Sequence, residues 1–220
     1  MRGLFIDYGL SKYPIALLDM KVAHESVLAG GEECIFITEH EAMYSAGKSS
    51  VPTDFLESHC YKTYYPRRGG RVTVHSEGQL VIYPIINLRK RAMNVSCYVR
   101  MLENWMIDAL SLLNIEANLS EEGIGVWVDR SKVGFVGINV ERGVASHGFC
   151  LNISNDLSLF NAIIPCGISK LSVTSVSEIL GRDIQIPDIV PLFTETTPFI
   201  QPQTNLSWIN RHPLKNNFIR

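Results

Sequence analysis

The residues of this 220-residue chain that could do chemistry fall into a few short stretches. "IIPCGISK" (163–170) ends an apolar run with Pro165, Cys166 and Gly167. Taken alone, Cys166 reads more readily as a packed thiol than as a nucleophile, because cysteine is among the most buried residue types and behaves as a small hydrophobe. A nucleophilic thiol needs help: at an ordinary pKa of ~8.5 only about 3% is thiolate at pH 7, and a cationic neighbour raises that share. Lys132 opens "KVGFVGINV" after the turn "VDRSK". A lysine at a strand start is usually solvated, yet the apolar, glycine-rich run behind it allows a sheltered position, where lysine becomes a tunable acid or base. Sequence spacing alone does not bring Lys132 to Cys166.

"YYPRRGGRVTVHSEGQ" sets Arg67, Arg68 and Arg71 around Gly69-Gly70 at the entrance to a strand. Paired glycines let a ligand approach the backbone, and exposed amides with arginines could hold an anion or a carbonyl oxygen; taken alone, the stretch reads more readily as an ordinary turn with solvated arginines. His75 stands where that strand meets a turn, and His147 lies beside a glycine in "ASHGFC". Either could be structural or catalytic. His24, His40, His59 and His212 offer no metal-ligand spacing, and no metal or other cofactor is expected.

These residues need elements to carry them. "SKYPIALLDMKVAHESVLAGG" reads as a helix capped by Ser11, with Pro14 in its first turn and Ile15, Leu17, Leu18, Met20, Val22 and Leu28 on an apolar side. "CIFIT" (34–38) reads as a strand and "EHEAMYSAGKSS" as a loop. "RVTV" (71–74) and "QLVIYPIINL" (79–88) read as strands joined by "HSEG", with Pro84 pushing the second toward a sheet edge or a bulge. Asn94 to Leu113 has the strongest helical periodicity, its Trp and Met residues belonging to the core. Short β-rich runs from Ile115 to Ile153 form a meander. Without regular βαβ alternation, the pattern is an α+β domain: a catalytic unit over 1–181, then a Pro-rich C-terminal tail over 182–220 that wraps it or is partly ordered.

A net charge of −2 makes nucleic acid a poor partner. Cys34, Cys60, Cys97, Cys150 and Cys166 form an odd set without a CxxC pair, which suggests neither a disulfide framework nor a thiolate zinc site. With no long apolar h-region and no uninterrupted apolar stretch near ~18 residues, a soluble, cytoplasmic protein that does not engage a membrane is expected.

The order "RRGGRVTVHSEGQL", "GIGVWVDRSKVGFVGINV", "RGVASHGFCLNI", "PCGI" is more specific than any one piece, and it resembles the lipoyl(octanoyl) transferase family from about Tyr13 to about Leu180. The family's RGG-x-V-T-Y-H-G-P-G-Q stretch falls on Arg68, Gly69, Gly70, Arg71, Val72, Thr73, Val74 and His75, with Val74 replacing the usual tyrosine and Ser76-Glu77 the usual Gly-Pro. Its other substrate-contacting stretches fall on Phe135, Val136 and Gly137 and on His147, Gly148, Phe149 and Cys150; its lysine falls on Lys132 and its acyl-accepting cysteine on Cys166.

The resemblance implies the fold of the biotin and lipoate ligases, a mixed sheet flanked by helices. It also implies transfer of octanoyl from acyl carrier protein, through a cysteine thioester, to a lysine of lipoyl domains in 2-oxoacid dehydrogenase E2 subunits and the glycine cleavage H protein. On that reading Cys166 attacks, Lys132 stabilises the thiolate and moves protons, amides near Gly69-Gly70 or beside the nucleophile hold the oxyanion, and Val72, Val133, Phe135 and Phe149 are candidates for an apolar tunnel. Glu77 is expected to face solvent or pair with Arg68 or Arg71, because a buried unpaired carboxylate is costly. An ATP-dependent ligase, a thioesterase and a non-catalytic acyl-binding relative are the alternatives.

Overall fold

The structure, a computed structural model, describes residues 4–56, 60–199 and the strand at 207–210. β1 (Leu4–Ser11), α1 (Tyr13–Leu28) and β2 (Cys34–His40) open the chain, and β3 (Met43–Ala46), β4 (Thr63–Tyr64) and β5 (Val72–His75) form a small three-stranded sheet in the order β4-β3-β5. β6 (Gln79–Asn87), α2 (Val95–Ser111), β7 (Val126–Val128), β8 (Ser131–Glu141) and β9 (Val144–Asn152) follow, then α3 (Val176–Leu180), α4 (Ile186–Glu195) and β10 (Ser207–Asn210). The large sheet runs β10-β1-β2-β6-β9-β8-β7. β1 pairs in parallel with β10 and β2, and the other neighbours are antiparallel. This is the expected α+β class, a mixed sheet flanked by helices.

Both faces of the large sheet are covered, so its central strands carry apolar residues without alternation. Every residue of β6 is buried. Ile35, Ile37, Leu80, Ile82 and Ile86 join Leu102, Trp105 and Met106 of α2 in one core, while Cys34, Phe36, Val81, Tyr83 and Ile85 join Tyr13, Ala16 and Met20 of α1 in the other. α2 starts at Asn94, whose side chain accepts from the Cys97 amide at 2.8 Å, an N-cap of the usual kind. Beyond Arg182, α4 buries Ile189 and Phe193 against α2, and Trp105 Nε1 donates to the Phe193 carbonyl at 3.0 Å. Among the described residues no helix is long and apolar enough to cross a membrane.

Several elements depart from the sequence reading. Ser11 does not cap α1; it ends β1, which was not foreseen, and its Oγ lies 2.8 Å from Thr38 Oγ1. α1 buries Tyr13, Ala16, Met20, His24 and Val27, leaving Ile15, Leu18 and Val22 exposed. Helical periodicity fits both stripes; packing selects the one where small Ala16 allows close approach and the Tyr13 ring reaches His40 and His75. β3 occupies part of the expected loop. Pro84 sits in a central strand, not at an edge, paired with Ile35 of β2. Its missing N–H falls where the β6–β9 ladder is interrupted, between Ile82–Phe149 and Ile86–Ala145, opposite His147 with φ 56°.

Candidate functional site

Where β5, β8 and β9 meet the turn at 165–167, a cavity of about 320 Å³ opens. Cys166 stands on that turn with φ 56° and ψ 9°, a left-handed conformation that side chains rarely adopt. Such strain persists only where the surroundings impose it, and it clusters at functional positions. Here the 51–56 loop supplies the constraint: Ile164 N donates to Asp54 O at 2.7 Å, Leu56 N donates to Ala162 O at 3.0 Å, and Phe55 bridges Ile163.

Lys132, near the start of β8, is fully buried and reaches the same end of the cavity, with Nζ 3.8 Å from Cys166 Sγ. Nζ donates to the Ile124 carbonyl at 2.6 Å and lies 5.2 Å from the Trp127 ring centre and 5.1 Å from that of Phe135. An ammonium there is held by a carbonyl and two ring faces. The 124–125 turn is fixed from α2, where the buried Glu103 accepts the Gly125 amide at 2.7 Å. Gly125 has φ +132°, and a Cβ there would lie 2.5 Å from Lys132 Cε, so the lysine stem requires glycine at this point.

Arg68 is buried. Its Nε donates to Ser45 Oγ at 3.0 Å, Nη1 donates to the Gly69 and Arg71 carbonyls at 2.8 and 3.0 Å, and Nη2 donates to the Ser45 carbonyl. The guanidinium therefore ties the glycine loop to β3 while still facing the cavity. Arg71 forms a bidentate ion pair with the buried Asp54 through Nε, at 3.1 Å, and Nη2.

His75 and His147 line the cavity as neutral imidazoles, with His40 packed against His75. Burial pulls His40 down to about 4 and His147 to about 3, and it holds His75 well below the ordinary histidine value. His75 Nδ1 lies 2.7 Å from Gln79 Oε1, and Gln79 Nε2 donates to Asn152 Oδ1 at 2.9 Å. The glutamine oxygen is therefore the acceptor, His75 carries its proton on Nδ1, and Nε2 is left as an acceptor. His40 Nε2 lies 2.9 Å from Tyr83 Oη.

Of the residues singled out from sequence, Cys166, Lys132, Arg68, Gly69, Gly70, Arg71, Thr73, His75, Phe135, Val136, Gly137, His147, Gly148, Phe149 and Cys150 all line this cavity. Val72 and Val74 turn away and pack with Met43 and Tyr44; Val133 joins the α2 core instead of the cavity wall. Desolvation pushes the Cys150 thiol up to about 12, so it remains protonated. Glu77 is exposed, as expected, while Arg68 and Arg71 have other partners. Tyr13, Tyr83 and Ile124 line the site without having been foreseen; Tyr13 lay in a helix read as packing only, and Ile124 in a glycine-flanked turn.

A thiol and a buried lysine at one end of a largely apolar cavity, carried on this mixed sheet, are the parts that acyl transfer through a thioester requires. Residues 15–197 match the family model of the lipoyl protein ligase A/B catalytic domain. The octanoyltransferase of Sphingopyxis alaskensis is 38% identical over 199 residues, covering 88% of this chain and 91% of that protein. That of Rhodospirillum rubrum is 39% identical over 196 residues, covering 86% and 89%. In fold the chain is similar to the bipartite lipoate protein ligase of Thermoplasma acidophilum (TM-score 0.71, 14% identity, 95% of this chain and 88% of that one). It is also similar to the biotin protein ligase of Aquifex aeolicus in complex with biotin and ATP (0.56, 15%, 89% and 68%). The chain belongs to the lipoyl(octanoyl) transferase family within the lipoyl protein ligase A/B catalytic domains, and it is an acyltransferase.

Proposed function

We propose that the chain moves octanoyl from acyl carrier protein to a lysine of lipoyl domains, in the E2 subunits of 2-oxoacid dehydrogenases and the glycine cleavage H protein, and that it works in the cytoplasm. The observation that carries this reading is the approach of Lys132 Nζ to Cys166 Sγ, 3.8 Å, at the end of the cavity. Cys166, as thiolate, adds to the thioester carbon, and the departing carrier thiolate takes a proton from Lys132. The acceptor lysine, as free amine, then adds to the Cys166 thioester. Its surplus proton passes to Lys132, and the Cys166 thiolate leaves, which restores the starting state.

Exchange between two thioesters is nearly balanced, and the last step yields the stabler amide, so the sequence of steps proceeds without nucleotide activation. Phe135 and Phe149 supply apolar wall for the octyl chain, and the neutral histidines avoid placing further charge beside it. The test is incubation with octanoyl carrier protein and apo lipoyl domain without ATP, read by intact-protein mass spectrometry. An octanoyl adduct on Cys166 and octanoylated acceptor are expected. An adduct on Cys150, or transfer surviving in Cys166→Ala, would overturn the assignment.

A further inference from the structure

The tetrahedral intermediate of acyl transfer places negative charge on the former carbonyl oxygen, and a preorganised donor must meet it. The two amides that follow the nucleophile are already engaged. Gly167 N donates to Ile164 O and Ile168 N to Pro165 O, each at 3.1 Å, and across the cavity Gly69 N donates to Ile138 O at 2.8 Å. Arg71 is placed differently. Its Nε and Nη2 face Asp54, which is 0% exposed, and Nη1 has no hydrogen-bond partner among the described residues. The guanidinium lies against Gly167, where a side chain would overlap Nη1, Cδ and Cζ, and Arg71 lines the cavity. Asp54 also accepts the Ile164 amide through its own carbonyl, so one residue fixes both the arginine and the nucleophile turn.

We infer that Arg71, oriented by Asp54, is a further catalytic residue whose Nη1 donates to the acyl carbonyl oxygen during attack at Cys166. The inference rests on Cys166 being the nucleophile. As the sulfur lone pair forms the new carbon–sulfur bond, the C=O π pair moves onto oxygen and Nη1–H holds it. When that pair returns, the bond to the carrier sulfur breaks and the carrier thiolate leaves, taking its proton from Lys132. Asp54 is a positioning residue: it occupies one edge of the guanidinium and leaves Nη1 against Gly167, next to the nucleophile in the chain.

The test compares two reactions at the same sulfur. Acylation by octanoyl carrier protein passes through an oxyanion; alkylation by iodoacetamide, a displacement at saturated carbon, does not. Arg71→Gln is expected to slow Cys166 acylation on the order of 100-fold or more while alkylation stays within about threefold. Asp54→Asn, which weakens the hold on the arginine, is expected to shift the same ratio in the same direction by less. Arg71→Lys keeps a charge beside Asp54 without the fork, and it supplies the ratio should Arg71→Gln not fold. Acylation within about fivefold of wild type, or acylation and alkylation falling together, would overturn the role. A wild-type enzyme that forms no adduct on Cys166 would instead remove the reading beneath it.

Discussion

Replacing Lys132 by methionine separates the lysine's chemistry from its packing. Methionine keeps most of the buried stem and deletes the ammonium. In the folded protein that ammonium gains a charge-assisted hydrogen bond to the Ile124 carbonyl, worth roughly 1.5–3 kcal/mol. It also faces two rings, each worth about 0.5–2 kcal/mol. Against this stands the desolvation of a fully buried cation, several kcal/mol per ion. The opposing contributions nearly cancel, so Lys132→Met is expected to change stability by no more than about 2 kcal/mol in either direction. For a domain of this size that is a Tm shift of roughly 8 °C at most. Activity behaves otherwise: in the proposed mechanism Lys132 is the general acid–base group, and its loss is expected to slow octanoyl transfer about 10³-fold, equivalent to about 4 kcal/mol in the barrier. Thermal melts and single-turnover transfer on the same preparation decide it. Transfer within tenfold of wild type, or a stability loss well beyond 3 kcal/mol, would refute the reasoning, the second because Lys132 would then be a structural residue first.

Cys150→Ala is expected to leave octanoyl transfer within about twofold, since its thiol is pushed up to about 12; adduct mapping by peptide mass spectrometry checks it. Gly125→Ala forces a Cβ against Lys132 Cε and is expected to lower transfer at least tenfold with the apparent KM for carrier protein little changed, which steady-state kinetics reads directly. His40, His75 and His147 titrate below the ordinary 6.5 when folded, so the unfolded chain binds more protons between about pH 6.5 and about 4. Stability is therefore fully present above pH 6.5 and falls as pH drops, by about 1.4 kcal/mol per pH unit for each histidine. Urea melts across that window measure the slope, His147→Gln should lessen it, and a flat profile would contradict the burial argument. Charge reversal at Lys48 and Arg67, exposed beside the glycine loop, is expected to weaken the salt dependence of kcat/KM for carrier protein. The same change at Arg91 acts on stability as well, because Arg91 is tied to Glu33.

What the sequence disclosed and what it hid divide along the range of the interactions. β5 and β6 were legible because their β-branched, apolar runs and the "HSEG" turn are local signals, and α2 because its periodicity runs for more than four turns. The buried face of α1 was not legible, because two apolar stripes satisfy the same period and only the sheet beneath distinguishes them. Central Pro84 was misplaced because the irregularity that tolerates it lies at His147, in another strand. Cys166 and Lys132 could be named from motif order, yet their approach depends on β8 and the 165–167 turn being folded together. Asp54 and Glu103 left no local trace: one acts on Arg71, 17 residues away, the other on Gly125, 22 residues away, and nothing in "VPTDF" or "MLENW" marks either contact.

Those hidden partners explain why the site takes the form it does. Lys132 and Arg71 both reach the Cys166 turn, and each passes over a glycine, Gly125 and Gly167, where a Cβ would overlap the side chain above it. Each glycine turn is in turn fixed by a buried carboxylate, Glu103 through the Gly125 amide and Asp54 through both Arg71 and the backbone at Ile164. The two carboxylates are thus directed at backbone amides and at the far edge of the arginine, leaving Lys132 Nζ 3.8 Å from the sulfur and Arg71 Nη1 against Gly167. A carboxylate facing the thiol directly would oppose its ionisation; one layer back, it holds the cations in place without doing so. The strained backbone at Cys166 belongs to the same arrangement: the left-handed turn carries the sulfur to 3.8 Å from Lys132 Nζ while the 51–56 loop holds the chain just before it, at 162–164.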